Sequence, residues 1–228
     1  MLNKMESRIA IITGASKGIG KSIKDLFKKN NIICYDFSRS NNIDITNETQ
    51  VQTAIEDIIK THSKIDILVN NAGVVSTTNI LDMDLKEWNH IINTNLTGTF
   101  IMTKYVLKHM IPKKYGKIIN ISSIAGTDRS KVASSAYTAS KHGVVGLTRQ
   151  LSLYHAKDNI NINCVAPSQT KTDMLVNNLS PQQINQIKNQ TPNNRLLEPI
   201  EVAETVLFLS SDSSSYINGE TININGGS

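Results

Sequence analysis

Short runs of β-branched and other apolar residues recur along this 228-residue chain, each followed by a longer stretch with helical spacing. The first is Ile9-Ala10-Ile11-Ile12, and "IDILVNNAG", "GKIINISS" and "INCVAP" repeat the theme. Runs that are apolar at every position, rather than at alternate ones, belong to strands buried on both faces, and such strands make parallel sheets. Parallel neighbours need long crossovers, which helices supply. Strands are expected around 7–13, 31–37, 66–70, 117–122 and 162–167, and at the final "ETININGG". Helices are expected over about 18–29, 48–61 and 135–156, in "PIEVAETVLFLSS", and from "LDMDLKEW" to Pro112 with a break near Thr94-Asn95. The expected fold is α/β: a single domain over 1–228, with a doubly wound parallel sheet (a Rossmann fold) of about seven strands and helices on both faces. Residues 168–198, which include Pro181 and Pro192, read as irregular chain or short helices, and as a lid over the substrate.

Charge and composition narrow the function. The net charge is +5 and the pI about 9.1, but the lysines are scattered and aromatic residues are only 5%. A nucleic-acid surface would want clustered cations interleaved with stacking rings, so no nucleic-acid partner is expected. No apolar stretch approaches the roughly 20 residues that span a bilayer. The first strand begins too early for a signal peptide to be expected, and a cytoplasmic protein without a membrane partner follows. Cys34 and Cys164 lie in apolar runs and read as buried free thiols. The five histidines are dispersed, so no metal site is expected.

In an open parallel sheet, ligands bind at the carboxyl ends of the strands. Gly14, Asp36, Asn71, Ser122/Ser123 and Pro167 all fall there. After the first strand, Gly14-x-x-x-Gly18-x-Gly20 lets the backbone turn tightly and approach a pyrophosphate. The helix that follows offers its positive end to the phosphates. Tyr137 and Lys141 stand four apart, which puts both side chains on one helix face. A free phenol has a pKa of about 10, and a nearby ammonium favours its ionised form, so the pair makes a proton-transfer group.

With these residues in place, the chain resembles the short-chain dehydrogenase/reductase family over essentially its whole length. The matching pieces, in order, are "TGASKGIG", "NNAG", "NTN" before "LTG", "ISS", "YTASK", "NCVAPSQTKTDM" and "NGETININGG". The resemblance implies that Tyr137 is the general acid/base and that Lys141 lowers its pKa and binds the nicotinamide ribose. It implies that Ser123, rather than Ser122, stabilises the substrate oxygen, and that Asn95 holds a water in a relay toward Lys141. On the cofactor side it implies Gly14, Ser16, Lys17, Gly18, Ile19 and Gly20 around the pyrophosphate. Asp44 and Ile45 would meet the adenine, and Asn71, Ala72 and Gly73 would pass under its ribose. Pro167, Thr170 and Thr172 would orient the nicotinamide, beside Tyr137 and Lys141. Ser168 stands where the family commonly has Gly, which implies an altered loop or altered cofactor affinity.

The implied activity is NAD(P)-dependent interconversion of a secondary alcohol and a ketone. A carboxylate at Asp36 accepts hydrogen bonds from ribose hydroxyls and repels a 2′-phosphate, which favours NAD(H). Lys17 and Arg39 argue the other way and keep NADP(H) as the alternative. With NAD(H), the favoured substrate is a small polar alcohol, a sugar or a cyclic diol. The alternative is a 3-oxoacyl-thioester (acyl-carrier-protein) reductase using NADPH, which the C-terminal half resembles. A non-catalytic dinucleotide-binding scaffold is the reading from another class. A homodimer or homotetramer, paired through the helices around 85–111 and 135–156, is the expected assembly.

Overall fold

The structure is a computed structural model that describes residues 7–130, 132–176, 180–189 and 191–227. Its elements follow in order as β1 (Ile9–Thr13), α1 (Gly18–Lys29), β2 (Ile33–Phe37), α2 (Glu48–His62) and β3 (Ile67–Asn70). Next come α3 (Leu85–Ile92), α4 (Gly98–Lys113), β4 (Gly116–Ile121), α5 (Ser135–His155) and β5 (Ile160–Pro167). The chain closes with α6 (Asp173–Val176), α7 (Pro181–Asn189), α8 (Pro199–Leu209) and β6 (Thr221–Ile224).

The strands form one parallel sheet in the order β2-β1-β3-β4-β5-β6. The chain winds outward from β1 to β2, then reverses to β3 on the other side of β1. That reversal is the switch point where doubly wound sheets bind ligands. Among the described residues there are six strands, against about seven expected. Only Ser38 to Thr46 separate β2 from the Asn47 cap of α2, and the 3₁₀ turn Arg39–Asn41 takes part of that. A parallel neighbour to β2 would need a crossover of about a dozen residues. The chain has no room for one, so β2 is left as a sheet edge and Ile33 is 41% exposed.

Side-chain alternation distributes the core. Ile9, Ile11, Leu68, Ile118 and Ile162 face α2 and α4, against Val51, Ile55, Met102 and Met110. Ala10, Ile12, Ile67, Val69, Ile119 and Val165 face the other way, against Ile23 and Phe27 of α1 and Val202 and Val206 of α8. Successive residues of a strand point to opposite faces, so continuous apolar runs are what two covered faces require. A polar seam also crosses the sheet: Asn70 Nδ2 donates to Asn120 Oδ1 (2.8 Å) and Thr103 Oγ1 (3.0 Å), and Asn120 Nδ2 to Thr148 Oγ1 (2.9 Å). Buried amides are tolerated when their donors are met in this way.

The two cysteines are free, but only Cys164 is buried; Cys34 is half-buried because it lies on the edge strand. The 168–198 segment carries α6 and α7, and Lys171 N and Leu197 N tie its two ends together through Leu197 O and Gln169 O. Part of that expected lid, at 177–179 and 190, lies outside the described residues. No described helix is long and apolar enough to cross a membrane.

Candidate active site

Helix α5 places the proton-transfer pair. Its cap, Ser134, accepts the Tyr137 N–H on Oγ at 3.2 Å, which fixes the phenol in the first turn of the helix. One turn later Lys141 is buried, its Nζ 5.8 Å from the centre of the Tyr137 ring. That ammonium donates to Ile121 O at the end of β4 (2.9 Å). Burial pushes its pKa down to about 8. The Cys164 thiol is itself pushed up to about 11 by burial and stays protonated.

The two serines after β4 separate by role. Ser122 is buried and its hydroxyl donates to Lys141 O (2.9 Å). Ser123 is half-buried, accepts Ala125 N at 3.2 Å, and its hydroxyl acts to lower the pKa of the Tyr137 phenol. Burial raises the Tyr137 pKa above its ordinary value, and the Ser123 hydroxyl opposes this without reversing it. The expected lowering by Lys141 is therefore absent here: the ammonium is turned to the Ile121 carbonyl, and desolvation of the phenol dominates. A phenol held protonated at neutral pH is a proton donor to an oxygen that gains charge.

Asn95 sits in a π turn, Asn93–Thr97, that joins α3 to α4 where the sequence implied a break. Its Oδ1 accepts Val74 N (2.8 Å), and its Nδ2 donates to Val74 O (3.0 Å) and Ser140 Oγ (3.0 Å). Both side-chain donors are thus engaged, and the amide clasps the loop after β3 to α5. Gly73 lies between: a Cβ there would stand 3.2 Å from Asn95 Oδ1 and 3.5 Å from Lys141 Nζ. Asn95, Ser123, and Tyr137 with Lys141, drawn from three separate segments of the sequence, thus gather at one corner of the sheet edge.

The other corner is the glycine turn. Gly14 and Gly18 have φ of +65° and +56°, a region that favours glycine. A Cβ on Gly20 would lie 2.4 Å from Gly14 O and 2.5 Å from Asn71 Nδ2. Asn71 holds the turn by donating to Thr13 O (2.9 Å) and Gly14 O (3.1 Å). Thr13 Oγ1 accepts both Asn71 N and Ala72 N at 2.9 Å. The first turn of α1 has no side-chain cap and no acid, and Ser16 and Lys17 are exposed beside it. Uncapped N–H groups, close backbone and a lysine fit a dinucleotide pyrophosphate. Gly14, Gly18, Ile19 and Gly20, with Ser16 and Lys17, would hold it there; when bound, the dinucleotide supplies the hydride.

The remaining expected cofactor residues divide. Thr172 packs on Gly18, 3.2 Å from where a Cβ would stand, and Thr170 is buried with its Oγ1 on Ser168 O (2.9 Å). Pro167 ends β5, in register with Ile224. Ser168 is absent from the residues with positive φ, so the substitution for Gly brings no left-handed strain. Asp44 Oδ1 is taken by Thr46 N (2.9 Å) and Thr46 Oγ1 (2.7 Å), with Arg39 3.4 Å from Oδ2. Burial resists ionisation of Asp44, yet the Thr46 bonds and Arg39 outweigh it and hold the carboxyl below its usual range. Ile45 is buried, and its side chain fills the space beside Gly98.

Asp36 differs most from expectation. Its Oδ1 accepts Ala15 N (3.1 Å) and its Oδ2 faces Lys24 Nζ (3.1 Å). Lys24 was not singled out in the sequence, where it reads as one more cation on a helix with Lys21 and Lys28. Thr13 and Ser140 were also missed, because a strand-end threonine and a mid-helix serine carry no local signal of a long-range bond.

A parallel sheet with a glycine turn at its switch point, and a serine, a tyrosine and a buried lysine beside it, defines a nicotinamide-dependent oxidoreductase site. Residues 21–228 match a family model described as "Enoyl-(Acyl carrier protein) reductase". The chain is 36% identical to the 3-oxoacyl-[acyl-carrier-protein] reductase FabG of Buchnera aphidicola, covering 98% of each chain. It is 34% identical to the protein of the same name from Vibrio cholerae, again over 98% of each. Among solved structures, ElxO with NADP bound superposes with a TM-score of 0.91 at 33% identity, covering 97% of this chain and 98% of that one. The chain belongs to the short-chain dehydrogenase/reductase family. It is an NAD(P)-dependent enzyme that interconverts a secondary alcohol and a ketone by hydride transfer. The scaffold reading falls with that, and the relatives favour an acyl-thioester ketone over the small polar alcohol preferred at first.

Proposed function

We propose that this protein reduces 3-oxoacyl thioesters with NADPH. The observation that carries the chemistry is Tyr137, its pKa raised by burial, with Lys141 one turn along the same helix and its Nζ 5.8 Å from the ring centre. Ser123 steadies the developing negative charge on the ketone oxygen, and Tyr137 delivers the proton to it. Lys141 keeps a positive charge beside the phenol below about pH 8 and supports that transfer.

The full-length similarity to two acyl-carrier-protein reductases supports the substrate class. So does the rim of the site. Ser134 N donates to Ser76 O (2.8 Å), which ties the loop after β3 to the loop before α5. Those loops carry Val75 and Val132, exposed by 49% and 65%, an apolar lip suited to an acyl chain rather than a sugar. Arg129 is exposed on the second loop and suits an anionic carrier; Lys131 lies outside the described residues. The similarity to an NADP-bound structure, together with the engagement of Asp36 by Lys24, supports NADPH over the NAD(H) first favoured.

We read the chain as one catalytic domain with its lid between Ser168 and Glu198, and as a homo-oligomer. Phe100 on α4 and Leu153 and Tyr154 on α5 are exposed and suit a two-fold contact. The free thiols Cys34 and Cys164 suit a cytoplasmic setting. The test is turnover of an acetoacetyl thioester with NADPH and with NADH. Reduction with NADPH in preference is expected. Failure on the thioester, with turnover of sugars or small diols, would refute the substrate reading.

A further inference from the structure

Asp36 is the penultimate residue of β2, beside the glycine turn, where Phe37 O accepts Gly14 N at 2.9 Å. A free carboxylate at that point would repel a 2′-phosphate. Here neither oxygen is free: Ala15 N holds Oδ1 and the Lys24 ammonium holds Oδ2, each at 3.1 Å. The pair is not a surface ion pair. The Lys24 side chain is 21% exposed and that of Asp36 10%, so solvent and salt screen it weakly. Lys24 reaches across from α1, whose register against β2 is set by Ile23 and Phe27 packed in the core on either side of it. On the open side of β2 there is no further strand among the described residues, and Lys17 and Arg39 are exposed near the turn. With Asp36 paired to Lys24 its carboxylate no longer opposes a phosphate at the end of β2; Arg39 is itself paired with Asp44 (3.4 Å), which leaves Lys17 as the exposed cation beside the turn.

We propose that Lys24 is a specificity-determining residue: its ammonium masks Asp36 and thereby admits a 2′-phosphate at the end of β2. The direction of preference rests on the NADPH reading above, but the role of Lys24 is tested separately. Lys24 stands under the carboxylate and is a positioning residue. It does not need to touch the cofactor.

The experiment titrates purified wild type, Lys24→Met, Lys24→Arg, Asp36→Asn and the Lys24→Met/Asp36→Asn double variant with NADPH and with NADH, following nicotinamide fluorescence. Lys24→Met is expected to move the ratio of the two dissociation constants about tenfold toward NADH, the size of one unmasked charge acting on a phosphate. Lys24→Arg should keep the wild-type ratio, and Asp36→Asn should cancel the shift in the double variant. If Lys24→Met folds poorly, Lys24→Gln keeps a hydrogen-bond donor without the charge and carries the same expectation. Equal weakening of both cofactors, no change in the ratio, or a shift that persists in the double variant would overturn the proposal. A wild type that prefers NADH would refute the NADPH reading, while the ratio change between variants would still decide the role of Lys24.

Discussion

Replacing Lys141 with Met should abolish turnover and yet leave the protein no less stable at neutral pH. The reasoning starts from burial. Lys141 is 5% exposed, and desolvation depresses its pKa from 10.5 to about 8. At about 1.4 kcal/mol per pKa unit, holding the charged form inside costs about 3 kcal/mol. Methionine matches the lysine stem in length and volume and removes that cost. It also removes the 2.9 Å bond to Ile121 O, and losing the partner of a buried carbonyl costs about 1–3 kcal/mol. The balance at pH 7 is a gain of about 0–2 kcal/mol, or up to about 8 °C in Tm for a chain of this size. The sign with pH follows from the depressed pKa. Between about pH 8 and 10.5 the unfolded chain holds a proton on this lysine that the folded chain has lost, so wild type gains stability as pH rises. The variant has no such group. Its advantage should shrink by about 3 kcal/mol across that window, and groups common to both proteins cancel in the difference. Thermal unfolding of both proteins from pH 7 to 10.5 reads this directly. A Tm for Lys141→Met well below wild type at pH 7, or a difference that does not change with pH, would refute the argument.

Other outcomes follow from the same geometry. Tyr137→Phe should lower kcat by about 10²–10⁴-fold, since it removes the proton donor, while NADPH binding by fluorescence stays near wild type. The rate of ketone reduction should fall as pH rises through about 8, where Lys141 loses its charge; a flat profile to pH 10 would show that the charge is not needed. Gly20→Ala puts a Cβ 2.4 Å from the Gly14 carbonyl, so the turn must open, with loss of cofactor binding and about 1–3 kcal/mol of stability by denaturant titration. Thr13→Val strips the acceptor from Asn71 N and Ala72 N and should cost about 1–3 kcal/mol, again by denaturant titration.

Much of the architecture follows from local pattern. Unbroken apolar runs such as Ile9-Ala10-Ile11-Ile12 require two covered faces, and the α2–α4 and α1–α8 layers supply them. The four-residue spacing of Tyr137 and Lys141, and the glycines at positive φ, are properties of a few consecutive residues. About seven strands are expected and the described residues hold six, because the stretch from Ser38 to Thr46 is too short for a crossover to a further strand beside β2.

The chain alone therefore determined the parallel sheet, the edge that carries the site, and which residues are able to move a proton or hold a phosphate. Helical and strand periodicity are short-range, and they aim side chains without reference to the rest of the molecule. Tertiary structure decided what those side chains meet. It joined Ser122 to the Lys141 carbonyl and left Ser123 for Tyr137, spent both donors of Asn95 on Val74 and Ser140, and set Lys24 against Asp36. These partners come from different elements, and their distances depend on how α1 and α5 are rotated and registered against the sheet. Burial, which fixes the charges of Lys141 and Tyr137, exists only once those layers have closed.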